Sequence, residues 1–439
     1  MQFRDLAILA LASLVATQDS DTDTQSLNAT LSGNDQLSNL TSFLSLNPAI
    51  VSTLSQASNI TILAPSNDAF SEFAETDVGR DIASNPGLLA ALLQYHVLNG
   101  TFQASQITNQ STFVPTFLNN DTYANVTGGQ VVEAVKVGNE TVFYSGLLQN
   151  ATVTTAYAMS GYKAGVHAGR LSKTPGLTPL SLKSLDISKW LEHLLHQPTS
   201  LGYEHYADSV PPPLVIDRVL VFPPNVLDTA NALNLTSLRG AVNATDSIEA
   251  ANARNITIFA PNNEAFNNIG SALANLSNDD LQNILEYHIV EDVYYSTSLE
   301  NGTTLQTEDD DRELTITTNE NGTVFVNAAE VVVPNVLIAN GVLHIIDNVL
   351  NPDNTAVPSE SATAGAPGFT GSAVSEQPFT SGQPTPTTQV NPTSEGAGPA
   401  QSTAAGSGSE TSGAAMPLMT SGVQYAALFG AGAAAYLGF

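Results

Sequence analysis

Histidines and carboxylates are the side chains with which this chain could do acid–base or metal chemistry, because its cysteine count is zero. Without a thiol there is no Cys nucleophile, no thiolate metal site and no disulfide framework. His96 and His288 each follow a tyrosine (Tyr95, Tyr287) at the end of an apolar helical pattern. A histidine so placed reads as a core or capping residue bonded to backbone. His193 and His196, with Glu192 and His167, have the side chains of metal ligands but no zinc-type spacing. Glu308-Asp309-Asp310-Asp311 has the charge to attract calcium. It lacks the alternation and the glycine of a calcium loop, so it reads as a solvated acidic turn. No Gly-rich phosphate loop, nucleophile elbow or hydrolytic motif is present. A facing pair of carboxylates, as in a carbohydrate-active enzyme, is not something a sequence displays. The expectation is a protein with no catalytic residue, no cofactor and no metal.

The elements that would position these residues are legible. Asn59-Ile-Thr-Ile-Leu is a β-branched run that fits a buried strand, and Ala64-Pro65 ends it. Ser66 or Asn67 can then cap a helix whose first turn holds Asp68, with Phe70 turned inward. Asn85-Pro86 starts a second helix with an apolar face of Leu88, Leu89, Leu92 and Leu93. Val131 to Tyr144, broken at Gly138-Asn139, reads as a hairpin.

The same order recurs further along. Asn59-Ile-Thr-Ile-Leu-Ala-Pro-Ser-Asn-Asp-Ala-Phe70 returns as Asn255-Ile-Thr-Ile-Phe-Ala-Pro-Asn-Asn-Glu-Ala-Phe266, identical at nine of twelve positions. Tyr95-His96 answers to Tyr287-His288, and Val215-Ile-Asp217 to Ile345-Ile-Asp347. In the second copy Asn262 or Asn263 stands at the cap, Ser277 to Asp280 resembles a capping box, and Leu314–Thr318 with Thr323–Val326 reads as a hairpin around Asn321-Gly322. Helices followed by strands give an α+β domain, present twice.

These residues resemble the fasciclin domain family. The first motif carries Thr61, Ala64, Pro65, Asn67 and Phe70 in one copy and Thr257, Ala260, Pro261, Asn263 and Phe266 in the other. The closing motif is complete only in the second copy, with Gly341, His344 and Asp347. The resemblance implies two tandem domains, each a twisted β-wedge or sandwich packed with α-helices, in an extracellular adhesion protein. It also implies a second role for Tyr95, His96, Tyr287 and His288, as a recognition surface for a receptor. The expected segments are domain 1 at 25–225 and domain 2 at 226–352.

The first copy departs from the pattern. His96 to Asp217 spans 121 positions and His288 to Asp347 spans 59, so copy one has 62 more. The atypical stretch, about 157–209, holds five of the twelve Lys+Arg, four of the seven His and the only Trp. It is either a translated intron or other gene-model error, or a genuine surface insertion.

The remaining features concern address and surface. Residues 1–16 read as a secretory signal peptide. Residues 353–413, poor in large apolar side chains and rich in Ser, Thr, Pro and Gly, read as a disordered, O-glycosylated stalk. Residues 414–439 end in an apolar run behind the small residues Ser412 and Gly413. Small residues, spacer and apolar tail form a glycosylphosphatidylinositol (GPI) attachment signal, with Ser412 or Gly413 as the anchored residue; the alternative is a retained membrane tail. Asparagine sequons stand at Asn28, Asn39, Asn59, Asn99, Asn109, Asn120, Asn125, Asn139, Asn150, Asn234, Asn243, Asn255, Asn275, Asn301 and Asn321. A net charge of −29 excludes nucleic acid and anionic lipid surfaces as partners. The expected partners are cell-wall or matrix glycans and glycoproteins or cell-surface receptors, with the membrane engaged through the lipid anchor. The expected location is the outer leaflet of the plasma membrane or the cell wall. The alternative is a vacuolar or endosomal membrane protein acting in fusion or trafficking.

Overall fold

The computed structural model describes residues 34–45, 59–156 and 213–384, apart from Asp246, Asp310, Asp311 and Glu360, and within 46–58 only Ser52, Leu54 and Ala57. The atypical stretch 157–209, the signal peptide and the tail lie outside the described residues.

Domain 1 opens with helix α1 (Ser38–Ser45), followed by strand β1 (Ile60–Pro65) and helices α2 (Asn67–Glu75), α3 (Asp77–Ser84) and α4 (Pro86–Tyr95). Strands β2 (Val97–Asn99), β3 (Thr112–Pro115), β4 (Val131–Val137), β5 (Glu140–Tyr144), β6 (Asn150–Ala156) and β7 (Leu214–Ile216) complete it. Domain 2 repeats the plan with α5 (Val226–Ala232), α6 (Thr236–Ala244), α7 (Ile248–Ala251), β8 (Ile256–Pro261), α8 (Asn263–Asn268), α9 (Gly270–Leu273) and α10 (Asn278–Tyr287). Its strands are β9 (Ile289–Glu291), β10 (Thr304–Gln306), β11 (Glu313–Thr318), β12 (Val324–Val326), β13 (Ala329–Ile338) and β14 (Gly341–Ile346).

The two sheets have one topology. Domain 1 runs β2-β1-β7-β6-β5-β4-β3 and domain 2, read from the same end, β9-β8-β14-β13-β12-β11-β10. In each, the motif strand (β1, β8) pairs in parallel with the closing strand (β7, β14) and antiparallel with the short strand after the Tyr-His pair. Both motif strands are buried at every position, which is why they read as continuous apolar runs rather than alternating ones.

The local signals act as their chemistry dictates. Asn85 caps α4 with Pro86 in its first turn, and Ser277 and Asp280 close a reciprocal capping box on α10. Val131 to Tyr144 folds as the hairpin β4–β5, with Gly138 at φ 61° in the turn. The β11–β12 connection differs from a two-residue turn. It spans residues 319–323, because the Asn319 side chain accepts from the amides of Asn321 and Thr323 and holds a wider loop.

The copies differ where the first departs from the repeat. In domain 2 a short turn joins β13 to β14, whose six residues pair along all of β8. In domain 1 the β6–β7 connection contains the atypical stretch, and β7 keeps only Leu214–Ile216 on β1. Leu214 lies opposite Leu63, the place that His344 takes opposite Phe259. Residues 353–384, where composition predicts the start of a stalk, form no helix or strand. Within this segment Phe369 and Phe379 pack against the domain 2 core.

Candidate functional site

The threonine, cap, asparagine and aspartate positions of the motifs do the same structural work in both copies. The Thr61 hydroxyl donates to the Gly100 carbonyl and accepts from the Phe102 amide, both at 2.8 Å. Thr257 does this with Asp292 and Tyr294, also at 2.8 Å. Ser66 and Asn262 are the helix caps, accepting from Ala69 and Ala265. That frees Asn67 and Asn263 to reach backward. Asn67 accepts from the Asn39 amide at 2.9 Å, and Asn263 from the Ser237 amide at 3.1 Å, tying α1 and α6 to the motif. Asp217 and Asp347 accept from the amides of Thr152 and Glu330, both at 2.7 Å, and so pin the end of the closing strand to its neighbour.

The Tyr-His pairs lie inside the domains. Tyr95 and Tyr287 are fully buried, and His96 and His288 are 4% and 2% exposed. The Tyr95 hydroxyl donates to the Val131 carbonyl and that of Tyr287 to the Glu313 carbonyl, so each fixes the first β-strand of the hairpin half. His96 Nδ1 sits 2.8 Å from the Leu92 carbonyl while its Nε2 accepts from the Leu220 amide at 2.9 Å. His288 repeats this between the Ile284 carbonyl (2.6 Å) and the Leu350 amide (2.8 Å). One nitrogen donates and the other accepts, which is the neutral ring in a single tautomer. Burial accordingly lowers both pKa values to about 4. The core-and-cap reading is what the geometry displays. The recognition surface that the resemblance implies is not formed by these four side chains, since none reaches the exterior.

The closing motif of domain 2 is a close fit. A Cβ on Gly341 would stand 1.8 Å from the Ile256 carbonyl oxygen, so only glycine lets β14 approach β8 there. His344 is wholly buried, with Nε2 2.8 Å from the Tyr294 carbonyl and Nδ1 accepting from the Asn335 amide at 3.3 Å. Its pKa is also lowered to about 4 by burial.

A polar seam that the sequence did not point to joins the domains. Ring-stacked Phe113 and Tyr295 face one another across it at 3.9 Å. The amide of Asn125 donates to the Ala339 carbonyl at 2.7 Å, and the Gln130 side chain to the Ile338 carbonyl at 3.0 Å. Asn255 grips Thr127 twice, accepting from its amide at 2.6 Å and donating to its hydroxyl at 2.7 Å. At the centre Glu133, 1% exposed, accepts from Ser111 of its own domain at 2.5 Å and from Asn335 of the other at 3.5 Å. Burial raises its pKa to about 7, against the two hydrogen bonds that favour the carboxylate. Asn335 reaches this position because β13 bulges around Pro334, leaving Asn335 at φ 63°. Leu148 of domain 1 packs into the domain 2 core from a turn in which Leu147 and Leu148 both take positive φ.

The other candidates take these places. Asp309 of the acidic turn pairs with Arg312 at 3.3 Å. Among the described residues no cluster of His, Asp and Glu is placed to hold a metal, and no helix is long and apolar enough to cross a membrane. Ten sequon asparagines are exposed; Asn39, Asn125, Asn234 and Asn255 are half-buried. Asn28, His167, Glu192, His193, His196, Ser412 and Gly413 lie outside the described residues.

Comparison with known proteins supplies the remaining link. The chain is 34% identical over 388 residues to a fasciclin-like arabinogalactan protein of Arthroderma benhamiae, covering 86% of this chain and 79% of that one. It is 26% identical over 349 residues to a fasciclin-like arabinogalactan protein of Cercospora beticola, covering 78% and 81%. Among solved structures, a FAS1 domain pair from the insect cell adhesion molecule fasciclin I aligns with 74% of this chain and 100% of its own, at 19% identity and a TM-score of 0.31. The fasciclin domain profile matches residues 35–159 and 233–352, one stretch in each copy. The chain belongs to the fasciclin domain family.

Proposed function

We propose that this is a non-enzymatic adhesion glycoprotein of the outer cell surface, binding cell-wall or matrix glycans and glycoproteins through its paired domains and held by a glycolipid anchor at Ser412 or Gly413. The observation that carries the reading is the duplicated fasciclin domain joined through a specific seam, with ten sequon asparagines facing outward. Such a surface suits many weak contacts summed by avidity rather than one tight site. The fungal relatives named as fasciclin-like arabinogalactan proteins support a glycan-bearing exterior protein. The three described histidines support a non-catalytic reading, since each is a neutral, fully engaged hydrogen-bonding group inside a domain.

The test is a strain lacking the chain, scored for attachment to neighbouring cells and to wall polysaccharide, with the chain then restored. Reduced attachment that returns on restoration is expected. Attachment indistinguishable from the parent strain would reject the adhesion role.

A further inference from the structure

The described residues 353–384 beyond β14 form no helix or strand, yet residues 362–383 follow the surface of domain 2 through spaced contacts. The Ala366 amide donates to the Ala328 carbonyl at 2.7 Å and the Val374 amide to the Asn267 carbonyl at 3.3 Å. The Ser237 hydroxyl donates to the Pro378 carbonyl at 2.8 Å, and Arg239 to the Gln383 side chain at 2.9 Å. Phe379 meets the motif residue Phe266 edge-on, ring centres 6.1 Å apart.

Two glycines make the seat. A Cβ on Gly240 of α6 would stand 1.8 Å from the Phe379 carbonyl oxygen, and one on Gly270 of α9 would stand 2.2 Å from a Val374 methyl. Phe379 itself holds φ 59°, a backbone state that a bulky residue adopts only where its surroundings impose it. The other copy solves the same problem differently. There Phe43, carried by α1, stacks on Phe70 at 5.0 Å. Superposing the Asn67–Asn39 and Asn263–Ser237 hydrogen bonds puts Ala241 where Phe43 stands and Gly240 where Ser42 stands. Domain 2 therefore has alanine in place of that aromatic partner and receives one from the chain that follows it.

We propose that the groove along α6, α8 and α9 is a peptide-docking site of domain 2, and that residues 366–383 are its resident ligand, a releasable strap anchored by Phe369, Val374 and Phe379. The strap is built to leave. Most of its residues are exposed, its three anchors are half-buried, and its backbone meets the domain at Ala366, Gly368, Ser372, Val374 and Pro378 without a continuous ladder between them. The preceding link is open, with Val357 49% exposed.

The test uses the full chain with a protease site introduced at the exposed residues 356–358. After cleavage the C-terminal fragment is expected to stay with the domains on gel filtration at high concentration and to dissociate on dilution. Adding synthetic peptide 366–384 is expected to restore the complex. A fragment that separates at every concentration would overturn the proposal. Gly240→Ala provides an independent arm, because it improves helix propensity but blocks the seat. Hydrogen exchange is expected to show the amides of Ala366 and Val374 protected in the parent chain and unprotected in Gly240→Ala, with those of α6 protected in both. Equal protection of Ala366 and Val374 in the two chains would overturn the proposal, whether both are protected or neither.

Discussion

At the scale of single residues, the Tyr-His pair is a fastener. His288 joins the end of α10 to the chain that leaves the closing strand, through one donated and one accepted bond. Removing it leaves the buried Leu350 amide without a partner, at a cost of about 3 kcal/mol with the lost packing included. His288→Ala is expected to lower the stability of domain 2 by that amount in urea unfolding, while the folded chain keeps its native far-UV spectrum. The same chemistry makes stability depend on pH in two opposed ways. The three buried histidines have folded pKa values near 4, below their unfolded 6.5. Their contribution is complete above pH 6.5 and is lost as pH falls towards 4, by up to about 3 kcal/mol each. Glu133 runs the other way, with a folded pKa near 7 against 4.5. Its contribution is complete below pH 4.5 and is lost as pH rises to 7. Glu133→Gln is therefore expected to match the parent near pH 4.5 and to exceed it by up to about 3 kcal/mol at neutral pH. An unchanged pH profile in the variant would mean that Glu133 ionises outside the seam.

Elements show which parts of this molecule a sequence can display. The hairpin at Gly138, the caps at Asn85 and Ser277 and the two motif strands were legible, because each depends on local chemistry or an unbroken apolar run. The seam was not, because Gln130, Glu133 and Asn335 are ordinary polar residues on strands until the second domain covers them. The strap was hidden for a related reason. Its Pro, Ser and Thr describe a chain unable to form a core of its own, and say nothing about one lying on another core. The position of the atypical stretch, by contrast, carries a definite expectation. Ala156 and Leu214 are cross-strand partners, so deleting residues 157–209 leaves residues 210–213 as a hairpin-length connection. That deletion is expected to preserve secretion and the domain 1 melting transition. Loss of folding would show that the stretch belongs to the domain.

Across the whole molecule, the seam bonds the two domains to one another, and it has a consequence for glycosylation. Asn59 and Asn255 occupy equivalent motif positions, but Asn59 is exposed while Asn255 donates its amide nitrogen to Thr127 of the other domain. A glycan on that nitrogen would replace the bond and push the domains apart. Glycopeptide mass spectrometry is expected to find Asn59 occupied and Asn255 bare; full occupancy of Asn255 would contradict the closed pair. The central claim, a paired fasciclin body displayed outside the cell, has a more direct test. Intact cells are surface-labelled and treated with phosphatidylinositol-specific phospholipase C, and the released chain is weighed. Release of labelled protein ending at Ser412 or Gly413 is the predicted result. Unlabelled protein retained on an internal membrane with Phe439 still attached would contradict the account.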